Sequence, residues 1–284
     1  MAENTITGLI PEIYEALDIV SRELTGMIPS ATMNASSNTA AVGQAIRIDV
    51  EPAGNVSNIA PAMTVPDPTG QTSGFTDIII TKSRAAEFGF LGEDQKGLNT
   101  GAGYGTVRAN KIAQAIRAVT NEVETDLCGL QSTFSRAHGT AGTAPFGTAN
   151  DYTDASNVLK ILKDNGSPLQ DNQLVINTTA GVNLLGKQAA VADAGSDSIL
   201  RQGVLLDING MPIRESAQIV DQAAGGIAGA ATTNAAGYAV GATVLTLAAG
   251  GTGNVVAGDV LTFAGDTNKY VVASAVFAGV NPAA

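Results

Sequence analysis

The sequence has no tryptophan, a single cysteine and a single histidine, and only 4% of its 284 residues are aromatic. One cysteine, Cys128, forms no intrachain disulfide, and its mid-helix setting beside Leu127 makes it a structural thiol rather than a nucleophile. The lone His138 has no cysteine or carboxylate cluster at ligand spacing, which excludes a zinc site of the usual kind. Basic residues are scarce: 15 Lys and Arg stand against 26 Asp and Glu, for a net charge of −11 and a pI near 4.4. Such a chain does not grip nucleic acid through phosphate contacts, although it can enclose it. No apolar run approaches the ~20 residues of a membrane-spanning helix. The first residues carry acids and no basic stretch, so no secretory leader is expected and synthesis is expected in the cytosol. Charged residues are 14% of the total. A surface so thinly charged suits a chain whose faces are covered by other chains; a secreted β-rich protein shows the same economy.

What is present begins with one long stretch, Thr106 to Ser135. Its apolar residues Ile112, Ile116, Val119, Val123, Leu127, Leu130 and Phe134 recur at steps of three and four, which predicts an amphipathic helix with one narrow stripe. Thr106 is the expected N-cap, and the glycines from Gly139 to Gly147 end the run. Alone of its kind in a β-rich chain, this helix reads as a spine across a sheet.

Ahead of it, Ile10, Ile13, Leu17, Val20 and Leu24 predict a helical arm stopped by Gly26 and Pro29. Ala45 to Val50 and Gly74 to Thr81 alternate as strands. The polar, proline-bearing excursion between them, with Pro61, Pro66 and Pro68, is too long for a hairpin turn and predicts a two-stranded arm with an extended tip. Gly101, Gly103 and Gly105 precede the spine helix, but the spacing is not a dinucleotide fingerprint and no Lys-Ser/Thr pair follows, so a hinge is the better reading than a phosphate cradle.

Beyond the Gly/Ala/Thr linker, short helices are predicted at Ala155–Lys163, with Val158, Leu159 and Leu162 inward, and at Thr178–Gln188, carrying Val182 and Leu185. A strand is predicted at Leu174–Ile176. Asn209-Gly210 predicts a turn between two apolar runs, a hairpin closing a small mixed domain. Residues 223–237 read as a linker. Ala242–Leu247, Val260–Phe263 and Tyr270–Ala273 then predict short strands of a small barrel or sandwich.

In this order, the arm, long β-loop, spine helix, α/β domain with Leu200-Arg201-Gln202-Gly203 through Asn209-Gly210-Met211-Pro212-Ile213-Arg214-Glu215-Ser216, and β-rich stretch resemble the major capsid proteins of tailed bacteriophages. More narrowly the chain looks like podovirus-type coat proteins with an inserted β-barrel; Ser36-Ser37-Asn38-Thr39 before the first strand belong to the pattern. The resemblance implies an α+β chain of the Hong Kong 97 capsid fold. It implies an N-terminal arm (1–35), an extended β-loop (36–84), a peripheral domain with the spine helix (85–150), an axial domain (151–222) and an inserted β-rich domain (223–284). Family members return from such an insertion to complete the other domains. This chain ends at Ala284, within or just after the β-rich stretch, which implies a truncated or a minimal relative.

The implied function is that of a self-assembling shell subunit without catalysis or cofactor, metal included. It would form pentamers and hexamers, enclose double-stranded DNA without reading its sequence, work with scaffolding and portal proteins, and touch no membrane. The expected location is the virion, and the host cytoplasm during assembly. Expected inter-subunit contacts are Ile13 and Leu17 on the arm and Asn55, Ile59, Met63 and Val65 on the loop. Alternatives are an encapsulin-like compartment shell, a Gly/Thr-rich surface adhesin and, last, a nucleotide-binding enzyme.

Overall fold

A computed structural model describes residues 24–33, 41–52, 54, 72–89, 92, 104–148, 151–188, 203, 205, 207–226, 232–233, 237–239, 241–247 and 254–275. The protein is of mixed helix and strand, α+β. It divides into two compact units, Thr32–Leu91 and Met1–Ala31 with Gly92–Ala284.

The smaller unit contains a ribbon of two antiparallel strands, β1 (Ala45–Val50) and β2 (Gly74–Ile79). Its register runs from Ala45 opposite Ile79 to Val50 opposite Gly74. Beyond the strand ends Gly43 donates to the Ile80 carbonyl at 2.9 Å, and Gly43 has φ of 87°, which a residue with a Cβ rarely adopts.

In the larger unit the spine helix α1 spans Tyr104–Gly129. It starts two residues before Thr106, so that threonine lies inside the helix and is not its N-cap. It also ends earlier than the apolar spacing predicts. After Gly129 the chain tightens into a 3-10 turn over Leu130–Thr133, where the Thr133 hydroxyl donates to the Leu130 carbonyl at 2.6 Å. Leu130 and Phe134 are thereby carried off the helix and are 50% and 57% exposed.

The α/β part has helix α2 (Thr153–Asp164), strand β4 (Leu174–Ile176) and helix α3 (Thr178–Lys187). Asn177 caps α3, its side chain accepting from the Ala180 amide at 2.9 Å. Phe146, Ala155, Ile176, Ala180, Leu184 and Met211 form the core here, with Leu159, Ile208 and Ile213 packed on it. Helix α3 turns Ala180, Gly181, Leu184 and Lys187 inward, while Val182 is 68% exposed. The inward face is thus offset from the expected Val182 and Leu185, because small residues at 180 and 181 let the helix sit close to the sheet. Lys187 is buried with its ammonium donating to the Asp151 carbonyl and lying 5.3 Å from the Tyr152 ring.

The turn at Asn209-Gly210 forms as expected: both have positive φ, 54° and 76°, flanked by a bridge from Ile208 to Met211. The pairing beyond it differs. Strand β5 (Ile213–Glu215) runs parallel to β4, with Leu174 opposite Ile213. Pairing with β4 places Ile176 and Ile213 on the core that α3 covers, which a local hairpin does not.

Strands β6 (Val260–Thr262) and β7 (Lys269–Val271) pair antiparallel as a hairpin. The second neighbour of β7 is β3 (Arg136–Ala137), just after the spine helix, rather than Ala242–Leu247. In that last segment only Leu247 bridges, to Thr233. A polar knot holds the three strands: Arg136 donates to Asn268 at 2.9 Å, the Tyr270 hydroxyl donates to Asp266 at 2.8 Å, and Asp266 accepts from the Asn268 amide. That backbone amide, with the Tyr270 hydroxyl, holds the Asp266 carboxyl below its usual range.

Candidate assembly surface

Opposed residues of an antiparallel pair share a face, so the ribbon sorts its side chains cleanly. One face carries Ala45, Arg47 and Asp49 against Ile79, Asp77 and Phe75. Arg47 donates to Asp77 at 3.1 Å and lies 3.6 Å over the Phe75 ring. At the far end Ser73 donates to the Glu51 carboxylate at 2.9 Å. This face thus pairs Arg47 with Asp77 and Phe75, while Phe75 and Ile79 are each 57% exposed.

The other face carries Ile46 and Ile78, Ile48 and Thr76, Val50 and Gly74. Ile48 is 37% exposed, and Val50 and Ile78 are each 49% exposed. Covering each of these three fully would return about 1 kcal/mol, half the value of burying a whole aliphatic side chain. A free two-stranded ribbon is marginal in water. Among the described residues no third strand joins it, and such edges accept an added strand.

The predicted contact residues Ile13, Leu17, Asn55, Ile59, Met63 and Val65 all lie outside the described residues, as do Gly101 and Gly103. The excursion that carries Asn55 to Val65 is the connection between β1 and β2.

A second feature was not read from the sequence. On α1 the buried positions are Ala109, Ile112, Ala113, Glu124 and Cys128. The inward face thus departs from the apolar stripe in the second half of the helix, leaving Val123 44% exposed. Glu124 is fully buried, and its carboxylate accepts from the amides of Gly26 and Met27, each at 2.8 Å, and of Ile28 at 2.9 Å. Three successive amides around one anion form a nest. Burial alone would raise this carboxyl, but the Met27 amide, the Ser216 hydroxyl and the amides of Ile28 and Gly26 outweigh it and hold it low.

Ser216, also fully buried, lies 3.7 Å from the Cys128 sulfur. Either atom can donate across this contact. Burial pushes that thiol up, so Cys128 stays protonated and inert. Gly26 is required at this junction: a Cβ there would stand 2.7 Å from Val175 Cγ1 and 2.9 Å from the Glu215 carbonyl oxygen. Ser30 completes it, donating to Gln173, which also accepts from Arg214 at 2.7 Å. These amides stand at the start of a 3-10 turn over Ile28–Ser30, whose first N–H groups have no acceptor within the turn.

No group of three or more metal-ligating side chains occurs among the described residues, and no described helix is long and apolar enough to cross a membrane.

No family model and no curated protein matches the sequence. A solved structure from Mycobacterium phage Che8 is similar, with a TM-score of 0.53 over 69% of this chain and 70% of that one, at 15% identity. The likeness is one of fold.

Proposed function

We propose that this chain is a phage structural protein, and specifically the capsid subunit of an icosahedral shell with the Hong Kong 97 fold. The ribbon carries the reading: β1 and β2 pair over their whole length, yet one face holds uncovered Ile48, Val50 and Ile78. Copies of the same chain are the simplest cover for such a face, and many modest contacts multiplied around a shell suffice to hold it. The spine helix and the fold shared with the Che8 phage structure support the same reading.

In this reading residues 1–35 are the N-terminal arm, 36–84 the extended loop, 85–150 the peripheral domain, 151–222 the axial domain and 223–284 the β-rich insertion. Pentamers and hexamers enclose double-stranded DNA without sequence readout, scaffolding and portal proteins take part in assembly, and the protein ends in the virion after assembly in the host cytoplasm. The chain acts without catalysis, cofactor or metal. Ile13, Leu17, Asn55, Ile59, Met63 and Val65 contact neighbouring subunits.

Negative-stain microscopy of the purified chain tests this. Uniform closed shells are expected, and Ile59→Asp or Met63→Asp should prevent them. A monomer at every concentration overturns the reading. Shells that form in the host without DNA or phage partners indicate a compartment protein instead.

A further inference from the structure

The nest at Glu124 does more than fill a helix face. The carboxylate is the sole acceptor shown for three amides of the segment Gly26–Ile28, and all of these bonds cross 96 to 98 residues of sequence. Removing the charge removes the acceptor of all three, leaving the Ser30 bond to Gln173 as the other side-chain tie of the segment. A neutral carboxylic acid must present one oxygen as a donor, and a donor facing amide N–H groups repels them.

We infer that Glu124 is an acid-released latch that ties the Gly26–Ser30 segment to the spine helix and lets it go on protonation while the α/β core stays folded. The elements packed here carry few other charges. The segment itself, Gly26-Met27-Ile28-Pro29-Ser30, has none. On α1 the next turn offers the protonated thiol of Cys128. On β4, Gln173 and Val175 are neutral, and on β5 Arg214 is engaged with Gln173 while the Glu215 side chain lies over Gly181. The groups shown holding Glu124 are thus amides and a hydroxyl. Its ordinary carboxyl value is 4.5, and the nest lowers it. The latch is therefore closed at neutral pH and opens as pH falls through a value below 4.5. The Leu184 and Met211 core buries no carboxylate; its charged neighbours lie at its margin, where Asp154 accepts from the Phe146 amide at 2.7 Å and Lys187 lies 5.6 Å over the Phe146 ring.

The inference concerns the single chain and is independent of the shell reading. Hydrogen exchange of the full-length protein, corrected for the intrinsic pH dependence of exchange, tests it on peptides covering residues 24–31 and 174–187. Wild type should lose protection in 24–31 at a higher pH than in 174–187, by about tenfold in rate for each unit between ordinary and lowered carboxyl values. Glu124→Gln should show raised exchange in 24–31 already at pH 7, with no further step on acidification. Should that variant fail to fold, Ser216→Ala serves: it removes one donor to the carboxylate and should move the wild-type step to higher pH. Loss of protection in both peptides at one pH, or a step that Ser216→Ala leaves in place, overturns the latch.

Discussion

The Glu124 junction and the β1–β2 ribbon solve opposite problems with the same kinds of group. At the junction a charge is buried, yet it accepts from three backbone amides and the Ser216 hydroxyl. In the ribbon the polar groups are satisfied at the surface by Arg47, Asp77 and Phe75, and the apolar residues are left uncovered. The comparison teaches that burial in this chain does not follow hydrophobicity alone. A carboxylate goes inside because it collects amides that have no other acceptor. Ile48 and Ile78 stay 37% and 49% exposed on a ribbon that buries neither.

Breaking the junction should have the largest effect on folding. Glu124→Ala strands the buried Gly26 amide and Ser216 hydroxyl, each costing about 1–3 kcal/mol, and frees the half-buried Met27 and Ile28 amides at lower cost, so a total loss of about 3 kcal/mol or more is expected in urea denaturation. Leu184→Ala, at a fully buried core position, should cost about 2–5 kcal/mol in the same measurement. Gly26→Ala presses a methyl against Val175 and the Glu215 carbonyl, for about 1–3 kcal/mol. Acidification sharpens the same side of the comparison. The folded chain holds Glu124 ionised where the unfolded chain would protonate it, so its contribution is full above about pH 4.5 and is lost as pH falls through the lowered value. A pH series of denaturation midpoints should show that loss for wild type and not for Glu124→Gln. Ile78→Lys lies at the other end: it should change the stability of the free chain by no more than about 0.5 kcal/mol and yet abolish assembly.

Local pattern is legible where a short stretch decides its own conformation. Strand β1 was legible to the residue, because Ala45–Val50 alternates and Gly43 precedes it. The Asn209-Gly210 turn was legible for the same reason. Pairings set by distant residues were not. Nothing near Ile213 reveals that its partner is Leu174 rather than the strand before the turn, and nothing near Tyr270 points to Arg136. The inward face of α1 was read correctly at Ile112 and Ile116 but not at Glu124, since hydrophobic spacing has no term for a carboxylate that finds three amides 96 to 98 residues away. The candidate contact residues on the arm and loop lie outside the described residues, so the assembly surface rests on the ribbon that bears the loop.

The most direct test of that surface is the reactivity of a thiol introduced by Ile48→Cys, with Cys128 buried and protonated and so silent. The account predicts that this thiol reacts readily with a maleimide in the dissociated chain and is blocked in assembled particles. A thiol that reacts equally fast in both states would contradict it.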